Sequence, residues 1–160
     1  MISQYLSYLQ ESTYPHRLFH LNQSNKERII ITPKIPDNFM TKQGYENNII
    51  PRVSVSPDIK YNILAIGYNK INDNKNKIYD VYEPNNYNKL KILHNSDIIK
   101  RNLVSDAKQT KEIWILNKTL FKRIGKIKIT NLSNQYRIIK FGNESRRSYF
   151  WNYKILSGNI

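Results

Sequence analysis

Cysteine is absent from this chain of 160 residues, which removes disulfide staples, thiolate metal ligands and a cysteine nucleophile together. Glycine and proline are scarce, 5 and 6 residues, and no Walker-type loop, dinucleotide-binding glycine fingerprint or nucleophile elbow occurs. Histidines number three, His16, His20 and His94, without the close spacing of a zinc or iron site, so no metal is expected. No apolar run approaches the ~20 residues needed to span a bilayer, and the first residues lack a basic-then-apolar leader pattern. The expectation is a soluble cytoplasmic protein with no membrane partner.

Cations are what the chain has in excess: 26 Lys and Arg against 12 Asp and Glu, a formal net charge of +14. Such a balance attracts polyanions, nucleic acid first, then an anionic nucleotide or an acidic protein. Ile, Asn, Lys and Tyr are also the residues of AT-rich codons, which accounts for part of the lysine excess. They point to a low-GC bacterium, its phage or an AT-rich virus, in which case the compartment is the host cytoplasm. With 39% hydrophobic and 12% aromatic residues the composition is that of a folded chain, and the length fits a single domain over 1–160.

The most legible junction is Pro51 to Ile66, PRVSVSPDIKYNILAI. Val53 and Val55 alternate with Ser54 and Ser56, the period of a strand with one apolar face. Ser56 is suited to cap a helix whose first turn holds Pro57 and Asp58 and whose apolar face carries Ile59, Ile63, Leu64 and Ile66. Serines running into a helix N-terminus form a floor for a phosphate or nucleotide; an ordinary strand-to-helix turn has the same pattern.

Elsewhere, Ile2, Tyr5, Leu6 and Leu9 share a helical face, predicting an N-terminal helix within 1–15. Arg17 to Leu21 reads as a strand with Leu18 and His20 on one face, and Ile29 to Thr32 as another, truncated by Pro33. The stretches 37–48 and 69–77 read as loops. Ile78 to Glu83, Lys111 to Asn117, Arg123 to Thr130, Tyr136 to Phe141 and Ser148 to Ile155 read as further strands, and Ser96 to Val104 as a short helix capped by Ser96. About seven strands, most of them late in the chain, with two or three short helices predict an α+β fold around a mainly antiparallel sheet.

Three polar groups stand out: His20 on the first core strand, Ser54 and Ser56 on the central strand, and Glu112, which shares a strand face with Trp114. Each is also explicable singly, as a satisfied core histidine, solvent-facing hydroxyls and an edge carboxylate. In the order LFHLN, PRVSVSPDIKYNILAI, TKEIWIL they resemble the ADP-ribosyltransferase-like fold in its histidine-first branch, which includes the RNA 2′-phosphotransferases and small phage proteins. The resemblance spans about Arg17 to Thr130, the core region, and the segment KIPDNFMTKQGYE resembles that family's substrate-covering insert. It implies NAD as cofactor, with His20 on the ribose and Ser54 or Ser56 beside the nicotinamide. Glu112 would orient the acceptor or the ribose hydroxyl, giving an ADP-ribosyltransferase or NAD glycohydrolase. The family's first strand usually supplies a glycine and a Ser or Thr after the histidine, where this chain has Leu21 and Asn22. Its central strand lacks a tyrosine, the nearest being Tyr61 on the helix, so Tyr61 takes that place in the site.

A second constellation is the basic, aromatic C-terminal region, 131–160. There Arg137, Lys140, Arg146 and Arg147 are interleaved with Tyr149 and Trp151, a mixture suited to phosphate contact and base stacking. The same pattern arises when aromatics fill a core beneath a solvated cationic face. This region carries the alternative reading, a non-catalytic basic module that binds nucleic acid or a host protein.

Overall fold

Short alternating segments become eight strands in the computed structural model, which describes residues 17–37, 39–42, 46–73, 75–141 and 143–160. In chain order the elements are β1 (His20–Asn22), β2 (Arg28–Ile31), α1 (Phe39–Lys42), β3 (Val53–Val55), α2 (Ile59–Ile66), α3 (Tyr68–Asp73), β4 (Ile78–Pro84), a 3-10 turn (Tyr87–Lys89), β5 (Ile92–Leu93), α4 (Asn95–Lys100), α5 (Ala107–Thr110), β6 (Ile113–Ile115), β7 (Thr119–Phe141) and β8 (Glu144–Gly158). The fold is α+β, with antiparallel sheets and short helices, as the clustering of strands predicts. The helix expected within 1–15 lies outside the described residues.

The strands form a five-stranded sheet in the order β1-β4-β7-β2, with β8 also on β7, and a three-stranded sheet in the order β3-β6-β5. Val53, Val55, Ile113, Ile115 and Ile92 on the small sheet meet Leu18, Tyr82 and Phe121 of the large one, and this apolar layer joins the two. Helices α2 and α3 cover another part of the large sheet through Ile59, Ile63 and Ile71 against Val81, Ile127, Ile129 and Trp151. Behind the small sheet, Trp114 and Leu93 pack on Ile98, Val104 and Ala107 of the α4–α5 region.

Two isolated antiparallel bridges, Lys34 with Arg52 and Phe19 with Ser56, flank β3 and fasten the small sheet to segments leading out of β2 and into β1. At the second bridge Phe19 and Ser56 exchange both backbone hydrogen bonds, at 2.8 and 3.1 Å.

Five expectations change, the first being that the 37–48 stretch, read as a loop, holds α1 (Phe39–Lys42). Helix α2 begins at Ile59 with Asp58 as its cap, accepting from the Lys60 amide, rather than with Ser56. The Ser56 backbone is committed to Phe19, which holds the chain extended for two residues more. The 69–77 stretch, read as a loop, holds α3, whose Ile71 is wholly buried and anchors an otherwise polar turn. Helix α4 starts at Asn95, with His94 rather than Ser96 at the N-cap position and with no side-chain capping hydrogen bond. Finally, the separate late strands are one long hairpin: β7 has 23 residues and β8 has 15. Beyond Lys128, β7 leaves β4 and continues with β8 alone as a two-stranded ribbon.

Candidate active site

On β3, period-two alternation sends Val53 and Val55 into the apolar layer and leaves Arg52, Ser54 and Ser56 on the opposite face. Ser54 pairs across the sheet with Trp114, and Glu112 lies one residue before β6. The Ser54 hydroxyl donates to Glu112 Oε1 at 2.6 Å, and Trp114 Nε1 donates to the same oxygen. Both donors fall on Oε1, and among the described residues none is seen on Oε2.

His20 comes from the other sheet. Its Nδ1 lies 3.1 Å from the Ser54 carbonyl oxygen; a carbonyl only accepts, so Nδ1 carries the proton and Nε2 is the acceptor nitrogen. Burial lowers the pKa of the ring below its ordinary value, against a smaller raising effect of the Ser54 hydrogen bond. The neutral tautomer therefore prevails at pH 7 and presents a lone pair. The same bond satisfies a carbonyl of β3, so His20 has a structural task as well.

His20, Ser54, Ser56, Tyr61 and Glu112 all line one cleft of about 480 Å³, within the ~300–1,000 Å³ of small-molecule sites. Leu21, Pro36, Val55, Ala65 and Ile66 supply apolar wall, and Asn62, Lys70 and Thr110 complete the polar part of the lining. Ser56 is buried and its hydroxyl donates to the Asp58 carbonyl at 3.2 Å, so Ser54 is the serine tied to the carboxylate. Asn62 donates its amide to the Phe19 carbonyl at 2.8 Å, holding α2 against the bridge.

Behind Glu112 lies a ring of groups that sequence reasoning passed over. The Arg52 guanidinium stacks on Trp114, 4.0 Å from the ring centroid. It pairs with Glu46 at 3.2 Å and donates to the carbonyls of Asn47 and Ile50. Asp106, half-buried, has its carboxyl pKa pushed up to about 6, mainly by burial and then by the charges of Glu112 and Glu46. The parity of Arg52 with Ser54 was the available signal; nothing local marked Asp106.

Among the C-terminal residues singled out, Arg137 turns inward. It donates to the Lys108 and Gln109 carbonyls at 3.3 and 3.2 Å and to the Tyr61 hydroxyl, with its guanidinium 4.7 Å from the Tyr61 ring centroid. It positions a cleft residue instead of offering a free cation. Trp151 is buried in the core with Ile127 and Ile129. It is therefore not available for base stacking, a correction that follows from its facing α2 and α3 across the base of the hairpin. Arg146, Arg147 and Tyr149 are exposed; the Lys140 side chain lies outside the described residues.

Among the described residues no group of three or more His, Cys, Asp or Glu is placed to hold a metal ion, and no helix is long and apolar enough to cross a membrane. Compared with protein-family models, with curated proteins and with solved structures, the chain matches none.

Proposed function

We propose that the chain is an ADP-ribosyltransferase-like protein that binds NAD or a related nucleotide in the His20–Glu112 cleft and transfers or hydrolyses its ADP-ribose. The observation that carries this reading is the Ser54–Glu112 hydrogen bond beside a neutral His20, three polar groups from distant parts of the sequence in one cleft. Two acceptors, Glu112 Oε2 and His20 Nε2, suit the hydroxyl-rich edge of a ribose. The apolar wall suits a planar base, and the net charge of +14 favours entry of an anionic dinucleotide.

In this reading the glycosidic bond between nicotinamide and ribose C1′ breaks with its electron pair leaving on the nicotinamide nitrogen. The ribose becomes oxocarbenium-like, and the fixed Glu112 carboxylate stabilises that charge without reorganising. A hydroxyl of water or an acceptor then bonds to C1′, and Glu112 Oε2 takes its proton. Ser54 and Trp114 position Glu112; the aligned carboxylate acts only while both donors hold Oε1.

The test is nicotinamide release from NAD by the wild-type chain and by Glu112→Gln. Release that falls by at least ~10²-fold in the variant supports the reading, given the usual effect of removing one electrostatic or general-base group. Equal release by both, or none by the wild type with no NAD binding by calorimetry, overturns it.

A further inference from the structure

The outer face of the β7–β8 ribbon remains unexplained by the cleft. Direct cross-strand partners Tyr136 with Tyr149 and Ile138 with Arg147 fall on one face of the ribbon. The two tyrosine rings are in contact, centroids 5.5 Å apart, yet Tyr136 is 42% and Tyr149 38% exposed and Ile138 59%. Arg147 lies over the Tyr136 ring at 4.6 Å and forms no ion pair with a carboxylate among the described residues. The opposite face carries Arg137 and Phe150, which close on Tyr61. One face of the ribbon is thus spent on attachment and the other is left in solvent.

We propose that this outer face, Tyr136, Ile138, Arg147 and Tyr149, binds single-stranded nucleic acid, with the tyrosine pair stacking on bases and Arg147 contacting phosphate. Charge complementarity selects a polyanion: residues 119–160 hold nine Lys and Arg against one acidic residue, Glu144, and the excess persists after Arg123 and Lys126 pair with Glu27 and Asp80, Arg146 with Glu144, and Arg137 turns inward. Exposed aromatic rings select a strand whose bases are unstacked, since a duplex hides its base faces. An acidic protein would satisfy the cations but, unlike a nucleic-acid strand, does not carry one planar ring for every negative charge. The proposal is independent of what the cleft binds.

Fluorescence anisotropy of the full chain with a labelled oligothymidylate, a length-matched abasic strand, a duplex and polyglutamate tests it. The base-bearing strand should bind at least about tenfold tighter than the abasic one, because stacking gives ~1–3 kcal/mol per base. Tyr149→Ala should abolish most of that preference. Arg147→Gln should keep it while flattening the log-log salt slope by about 0.7, the loss of one single-strand phosphate contact. Equal affinity for the abasic strand, the duplex or polyglutamate, or no binding at low salt, overturns the proposal. The comparison of ligands on the wild-type chain decides the matter even where a tyrosine variant folds poorly.

Discussion

The cleft and the ribbon use the same residue types in opposite ways. In the cleft Tyr61, and behind it Arg52 and Trp114, are held from several sides, Trp114 fully buried with Arg52 stacked on it and Glu112 bonded to its indole. On the ribbon, Tyr136, Tyr149 and Arg147 touch one another and otherwise face water. An aromatic and an arginine in contact define either a rigid support or an open surface, and burial decides which. The difference in held and free geometry also separates their expected chemistry: positioned charge in one, adaptable contact in the other.

That contrast is breakable by mutation. Trp114→Ala should act on the cleft and on the whole fold, since deleting a buried Trp costs about 3–5 kcal/mol; urea unfolding should show a large drop in midpoint. Gly158→Ala strikes the base of the ribbon. Gly158 has φ +88, and a Cβ there would meet the Ile124 carbonyl oxygen at 1.9 Å, so a loss of about 1–3 kcal/mol is expected by the same measurement. Arg137→Ala should cost about 1–2 kcal/mol by stripping charge-assisted hydrogen bonds. Its signature is local: hydrogen exchange should quicken in the ribbon and at α5 and leave the core of β4 unchanged.

A smaller effect is read by pH. The Asp106 carboxyl titrates at about 6 in the folded chain against an ordinary 3.8, so the folded state holds the proton more tightly than the unfolded one. Its contribution to stability is complete below about pH 4, falls as pH rises toward 6, and is constant above. Asp106→Asn should remove this slope from an unfolding series between pH 4 and 7 and raise stability at pH 7. His20 runs the other way, its lowered pKa costing stability as pH falls below its ordinary 6.5. The smallest effect belongs to the open face: Arg147→Gln should change stability by less than about 0.5 kcal/mol.

Parity along short strands made much of this readable in advance. Ser54 between Val53 and Val55, and Glu112 two residues from Trp114, declare their faces in the sequence, and those faces meet in the cleft. The β-branched run at Ile29–Thr32 likewise marked β2, and alternation marked β4 and β6, close to their observed bounds. What parity does not carry is which sheet a strand joins, so nothing local told that the His20 ring meets the Ser54 carbonyl from the other sheet. Asp106 and Arg52 owe their state to burial by distant segments. Trp151 shares its parity on β8 with the exposed Tyr149, and only its place at the base of the hairpin, packed with Ile127 and Ile129, separates their roles, which alternation does not carry. Helix α3 has Ile71 buried in a largely polar stretch, and a single isoleucine in that sequence is too little for a periodic signal.

The bridges at Phe19–Ser56 and Lys34–Arg52 fix more than topology. His20 rides on the large sheet, while Ser54 and Glu112 are borne by the small sheet and its immediate flank. The separation of the two acceptors is therefore a rigid-body coordinate, set by the angle between two plates and pinned at two stitches. A ligand that bridges His20 to Glu112 measures that angle, and a substitution that splays the plates would detune the cleft without altering any residue that lines it.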